Sequence, residues 1–416
     1  MDDRPSRAGS GAPSLVMLTQ YYPPDPGAAS VRLQATAREL VRRGWRVAVV
    51  TAFPHHLGFS DPRYRGWVRE EWDGPVRVVR TWIWPAPPGH LGRRLLNYLS
   101  FTVSSLLGLM RVGRADYLLV ESPPLFLGAT AWLWSVLRGI PYLLSVSDLW
   151  PESAVALGLV SSPLAVRLAR ALERFLYRHA HRILAVTEGI ARGVADAGIP
   201  RDRILPAPNG VDLERFAPVQ EDPELRRALG LEGRHVFLYP GTLGYAQGLE
   251  VVVEAADLLR DRSDVAFLLV GDGPVRPALE ARVRELGLTN VVFAGLQPVE
   301  RMPAYFALAR AAVVPLRRHP LFAGARPSKL FAAWGAGVPV IFCGEGEAAE
   351  LVERSGGGVV VPPEDGPALA MAVDLFARLA DAEVRHIGAE GRRFVAEHFT
   401  WPAIVEGWLG GLGRET

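Results

Sequence analysis

From residue 15 onward, short apolar runs alternate with longer stretches whose apolar positions recur at helical spacing, and the alternation continues to the end of the chain. Few architectures accommodate that order. It predicts an α/β protein, with parallel sheets carrying helices on both faces. The first repeat shows the pattern. Leu15 to Leu18 predicts a strand and Gln20 to Ala29 a loop. Ser30 to Arg43 predicts a helix, with Val31, Ala35, Leu40 and Val41 near one face and Gly44 as its stop, and Arg46 to Thr51 a second strand. This is the opening of a nucleotide-binding unit, but no GxGxxG follows the first strand, which disfavours a dinucleotide site.

Between Ala52 and His90 the chain is rich in loop residues and predicts one strand, near Val76 to Trp82. Trp67, Trp72, Trp82 and Trp84 fall in this stretch, and most of them are expected in a core. Arg93 to Arg111 predicts a helix with a wide apolar face and a basic start. Two readings stay open for it: an ordinary domain helix, or a helix lying on an anionic membrane surface. Ser122 to Leu137 is a long uncharged, apolar run. It falls short of the ~20 residues that span a bilayer and is expected to be a buried helix. Further strands are expected at Asp116 to Glu121, Pro141 to Val146 and Ile183 to Val186, with a helix from Leu164 to His181. The Pro141 to Val146 strand runs into Asp148 and Glu152. Ligands of open α/β sheets sit beyond the carboxyl ends of strands, so these acids are candidates for binding or deprotonating an acceptor hydroxyl. Both also suit a helix start.

Prolines and Asn209-Gly210 between Ile204 and Pro218 mark a domain boundary. Beyond it, strands are expected at His235 to Tyr239, Phe267 to Val270, Val291 to Ala294, Ala312 to Pro315 and Val338 to Phe342, followed by a helical stretch from Gly366 to Gly411. This half holds the most singular residue of the chain. Of 46 Lys and Arg residues, all but Lys329 are arginine. Lysine is a compact point charge and arginine a planar fork, so a tight anion site distinguishes them. Lys329 follows Pro327-Ser328 at a predicted helix start, where free N–H groups and the helix dipole favour an anion. The glycine-rich run from Gly241 to Gly248 connects a strand to a helix in the same half, and such backbone approaches anions closely. Together the two predict a diphosphate cradle. Gly271-Asp272-Gly273-Pro274 is a second tight strand-to-helix turn.

A chain of 416 residues is long enough for two domains. A net charge of +2 gives no global basic field, so no nucleic-acid partner is expected. The single cysteine, Cys343, excludes an internal disulfide and a cysteine-based metal cluster, and points to a reducing, cytoplasmic setting. Residues 1–14 are polar, lack the apolar core of a signal peptide, and are expected to form a loose tail.

Taken together, these segments resemble the retaining glycosyltransferases of family four, which have the two-domain GT-B fold. The resemblance covers nearly the whole chain. It rests on the Gly27 loop, Pro208-Asn209-Gly210-Val211-Asp212, Gly241 to Gly248, Val270 to Pro274, Pro327-Ser328-Lys329 and Ala336-Gly337-Val338-Pro339-Val340. Asp148-Leu149-Trp150-Pro151-Glu152-Ser153 and Gly244 to Leu249 are most similar to the WbuB-type, N-acetylfucosamine-transferring branch of bacterial envelope-polysaccharide enzymes.

The resemblance implies a tail (1–14), an acceptor-binding Rossmann-like domain (15–205), a nucleotide-sugar-binding Rossmann-like domain (206–395) and a final helix returning to the first domain (396–416). The donor, a nucleotide-diphosphate sugar, would meet Gly241, Thr242, Leu243, Gly244, Gln247, Gly271, Gly273, Phe293, Gly295, Ser328 and Lys329. Gly27, Ala28, Asp148 and Glu152 would lie on the acceptor side, toward a lipid-linked or glycan acceptor. Lys329 and Arg326 would stabilise the leaving diphosphate and Asp148 contact the acceptor, with no metal and no cofactor implied. One departure stands out. The family often carries two glutamates before the Ala-Gly-x-Pro-Val segment. Here those positions are Gly324 and Ala332, which leaves the ribose-binding role to another residue, with Glu347 and Glu350 as candidates. Two rival expectations follow: a non-catalytic subunit paired with an active transferase, or a GT-B sugar-nucleotide epimerase.

Overall fold

The computed structural model describes residues 11–25, 27–55, 63–85, 91–158 and 160–413. Most of the expected tail, residues 1–10, lies outside them. The first sheet has eight strands: β1 (Ser14–Leu18), β2 (Arg46–Ala52), β3 (Val68–Asp73), β4 (Val76–Thr81), β5 (Tyr117–Ser122), β6 (Tyr142–Val146), β7 (Arg182–Ala185) and β8 (Ile204–Pro206). They are ordered β3-β4-β2-β1-β5-β6-β7-β8. All neighbours run parallel except β3, which pairs antiparallel with β4. The second sheet is parallel throughout: β9 (His235–Pro240), β10 (Val265–Val270), β11 (Val291–Gly295), β12 (Ala309–Pro315), β13 (Val340–Cys343) and β14 (Gly358–Val361), ordered β11-β10-β9-β12-β13-β14.

The apolar strands are explained by burial on both faces. Along β1, Leu15 and Met17 enter one core and Val16 and Leu18 the other. Along β9, Phe237 and Tyr239 point to one side of the second sheet and Val236 and Leu238 to the other. Successive side chains of a strand face opposite ways, so only a sheet covered by helices on both sides buries all of them.

Two stretches differ from the sequence reading. Residues 63–85 hold a hairpin where one strand was expected. The missed strand β3, Val-Arg-Glu-Glu-Trp-Asp, is polar because it is the sheet edge, with a partner on one side only. Its neighbourhood also corrects the placement of the tryptophans: Trp67, Trp72 and Trp84 are 66, 69 and 52% exposed. Trp67 and Trp84 stand against Trp82, with centroids 5.4 and 6.2 Å away, and of these three only Trp82 is half-buried and packs against the core. The long C-terminal helical stretch is three helices, Gly366–Arg378, Asp381–His398 and Trp401–Leu412.

The chain passes between domains twice, and the two passages are joined. The Val211 N–H donates to the Phe399 carbonyl at 2.9 Å, and Val211 bridges Thr400 in parallel. From there the last helix returns to the first domain. Trp401, Ile404, Val405 and Trp408 enter the same core as Leu15 and Met17. This double crossing borders the cleft between the sheets, which Asn209, Gly210, Val211 and Trp401 help to line.

Candidate active site

In each sheet the strand order reverses around one strand, β1 in the first and β9 in the second, and ligands of open α/β sheets bind beyond such points. The loops after these two strands face each other across a cleft of about 1590 Å³, lined from both domains.

On the C-terminal wall, Lys329 is the second residue of the helix Ser328–Gly335, whose N-terminus has no side-chain cap. Its Nζ donates to Gln247 Oε1 at 2.7 Å and lies 4.9 Å from the Tyr239 ring centroid. Among the described residues no carboxylate pairs with it. The ammonium is sunk in the cleft floor, and lost hydration lowers its pKa from 10.5 to about 7. Gly241 makes this possible. Its φ of +126° is a conformation glycine adopts freely, and an added Cβ would stand 3.2 Å from Lys329 Cε.

Gly241, Thr242, Gln247, Gly271, Arg326, Ser328 and Glu347 line the cleft with Lys329. Leu243, Gly244, Gly273, Phe293 and Gly295 do not line it. Leu243 is core, and Phe293 packs against the same core. The Gly241 N–H bonds the Val270 carbonyl at 2.8 Å, Leu243 N–H bonds Asp272 O at 2.9 Å, and Gly271 N–H bonds Gly295 O at 2.9 Å. A side chain on Gly271 or Gly273 would collide with the backbone of Gly241 or Leu243. These glycines let three loops interlock and so fix the shape of the Gly241 loop.

On the N-terminal wall, Gly27 and Ala28 line the cleft at the start of the helix Ala28–Arg42, which has no side-chain cap and no acid in its first turn. Ser30 is fully buried there and its Oγ has no hydrogen-bond partner. Asp148 lines the same wall. Burial raises its pKa to about 6, against hydrogen bonds from Ser153 and the Leu149 backbone that pull it down. Glu152 is apart from the cleft and pairs with Arg170 at 2.7 Å.

Arg32 was not foreseen. It is buried in the wall, ion-paired with Glu121 and bonded to Asn209 Oδ1 at 3.0 Å in the domain connection. Glu121 is the signal that would have found it: an acid at the end of an apolar central strand requires a buried cation. Glu347 is engaged with Arg326, their atoms 2.8 Å apart, and with the first-turn amides of the helix Glu188–Asp196.

Two parallel-sheet domains facing across a cleft, with strand ends and a basic helix start at its walls, define a protein of the GT-B class. Comparisons with known proteins agree. Residues 27–210 match the glycosyl transferase 4-like domain, and residues 234–378 match the glycosyl transferases group 1 domain. The chain belongs to the glycosyltransferases that combine these two domains. It is 29% identical over 347 residues, 80% of its length and 84% of the relative's, to the putative colanic acid biosynthesis glycosyl transferase WcaI of Escherichia coli. It is 29% identical over 402 residues to the 2-deoxystreptamine glucosyltransferase of Streptomyces kanamyceticus, covering 89% of this chain and 94% of that one. Among solved structures, the sucrose-phosphate synthase of Thermosynechococcus elongatus superposes with a TM-score of 0.74 at 22% identity, covering 96% of this chain and 98% of that one. The Anabaena protein HepE, in complex with UDP and glucose, does so with a TM-score of 0.71 at 18% identity, covering 96% and 99%.

Proposed function

We propose that this glycosyltransferase moves a sugar, with retention at the anomeric carbon, from a nucleotide-diphosphate donor to a lipid-linked or polysaccharide acceptor of the cell envelope. The observation that carries the reading is Lys329: a cation at an uncapped helix start, facing an amide oxygen and a ring and no carboxylate. A diphosphate supplies the missing counter-charge and returns the lysine to its charged form. As the leaving diphosphate gains charge, Lys329, the first-turn amides of its helix and Arg326 stabilise it, while the walls position the reactants. Asp148 contacts the acceptor hydroxyl. The UDP held by HepE and the colanic acid role in the name of WcaI support the donor and the product class. The Asp148 to Ser153 segment supports a place near the WbuB-type branch.

The cytoplasmic membrane face is the proposed place of action. The helix Leu91–Val112 exposes Leu96, Val103 and Met110, and the adjoining helix Leu125–Arg138 exposes Val136 and Leu137. Residues 95–112 are, by length and composition, apolar enough to cross a membrane, and one third of that window is buried in the fold. We read this face as resting on the membrane surface, beside a lipid-linked acceptor.

A thermal-shift titration with UDP, GDP and ADP and their common sugars, on the native protein and on Lys329→Ala, tests the donor site. One nucleotide should raise the melting temperature of the native protein and leave the variant unchanged. The rival, a non-catalytic partner subunit, is favoured by Ala332, which lines the cleft where a ribose-binding acid is absent. It predicts no response to any nucleotide in either protein.

A further inference from the structure

The two domains touch at a junction separate from the chain crossings. The helix Glu188–Asp196 of the first domain begins at Thr187, whose Oγ1 accepts from the Ile190 N–H at 3.1 Å. That satisfies one first-turn donor. The other two, the N–H groups of Glu188 and Gly189, donate to the carboxylate of Glu347 from the second domain, the first at 3.2 Å. Arg192 Nη2 stands 3.5 Å from the same carboxylate and Arg326 Nε 2.8 Å from it. Glu347 is 8% exposed. One domain thus completes the helix cap of the other with a buried anion, at a terminus that favours one. The backbones come together at the same place: a Cβ on Gly189 would lie 2.6 Å from Gly324 Cα.

Both walls of the cleft are attached to this junction. Arg326 lies on the short segment that leads into Ser328 and Lys329. On the other side, Gly193 of the capped helix packs against Leu149, next to Asp148, so closely that a side chain at Gly193 would collide with it. We propose that Glu347 is a positioning residue: it joins the helix Glu188–Asp196 to the Arg326 segment, so that closing the cleft sets Asp148 and Lys329 in one step. The roles of Asp148 and Lys329 rest on the function proposed above, whereas the closure does not. Glu347 is thereby withdrawn from the ribose, the role its sequence position suggested.

Hydrogen exchange and small-angle X-ray scattering on the full-length, ligand-free protein test this. Glu347→Ala should raise amide exchange of residues 188–193 at least tenfold and enlarge the radius of gyration. Gly189→Ala, whose Cβ presses on Gly324 Cα and stands 3.1 Å from Glu347 Oε1, should do the same without removing a charge. Glu353→Ala, at an exposed position on the same helix as Glu347, should change neither. A Glu347 that merely stabilises its own domain would alter exchange across residues 347–355 and leave 188–193 as before. That pattern, or unchanged exchange at 188–193 in both variants, overturns the proposal. If Glu347→Ala does not fold, Glu347→Gln and Gly189→Ala carry the test. No ligand is added, so a failed nucleotide titration leaves this result standing, and a failed closure leaves the titration standing.

Discussion

The two walls of the cleft handle charge in opposite ways. On the N-terminal side, charge is answered from within. Arg32 is held by Glu121 and Asn209, and Arg38, which also lines the cleft, donates to Asp73 at 2.7 Å. On the C-terminal side Arg326 is paired with Glu347, but Lys329 meets, among the described residues, only Gln247 and the face of Tyr239. Apart from Asp148, which is held by hydrogen bonds and not by a cation, these N-terminal charges are matched, and such a wall suits a neutral, hydroxyl-rich ligand. A wall with an unmatched cation at a helix start waits for an anion. The contrast supports the proposal that the charged donor is held by the second domain.

The largest expected effect tests the first wall. Arg32→Met leaves the Glu121 carboxylate buried without its cation, and breaking a buried pair in this way costs about 3–5 kcal/mol. Denaturant unfolding of the variant should show a loss of that order, and the double change Arg32→Met with Glu121→Gln should recover most of it. A loss below about 1 kcal/mol for the single change would mean that the wall is not internally neutralised.

The second wall predicts the opposite sign. Lys329→Met removes a cation that burial disfavours, so the ligand-free protein should be as stable or more stable near neutral pH. The same variant should lose the ~2.7 kcal/mol that a nucleotide at a hundredfold its dissociation constant adds to the native protein. The pH dependence follows from the lowered pKa. Between about 7 and 10.5 the unfolded chain holds a proton on Lys329 that the folded chain has released, so stability rises with pH across that window. The advantage of Lys329→Met should therefore be greatest below pH 7 and shrink toward pH 10.5 in paired melts.

How much of this was legible in the sequence depends on how far apart the interacting parts lie. β1, β9 and β12 were visible because strands buried on both faces are apolar throughout. Lys329 was visible because it is alone of its kind. β3 was hidden, since an edge strand has no need to be apolar, and its one tryptophan, Trp72, looked like core although that edge leaves it exposed. Arg32 and Glu121 are 89 residues apart, and Glu347 lies 158 residues from Gly189. No local pattern announces a contact made only when two domains close. The glycines at 271 and 273 were noticed as a turn, but their reason, the interlocking of loops with Gly241 and Leu243, is tertiary.

Outside the cleft, the first domain's exposed apolar face gives a smaller effect. Leu96→Glu with Val103→Glu should lower the affinity for vesicles containing anionic lipid about tenfold, or ~1.4 kcal/mol, with the melting temperature unchanged. Equal binding by the native and altered proteins would detach this face from the membrane.

The smallest effect returns to the comparison of walls, since Asp148 is the acid of the N-terminal wall that burial disfavours in its charged form. Its folded pKa of about 6 lies above the usual 3.8. Between those values the folded protein holds a proton that the unfolded chain has lost. Its contribution to stability is thus full below pH 3.8 and is lost as pH rises through about 6. Asp148→Asn keeps the shape and removes the titration, so its stability curve should be flatter than that of the native protein from pH 4 to 6 and parallel to it above 7. A bound acceptor whose hydroxyl donates to the carboxylate would favour the charged form and move this midpoint down. A midpoint that stays in place with an acceptor analogue present would remove Asp148 from the acceptor site and leave it as the cap of its own turn, bonded to Ser153 and Leu149.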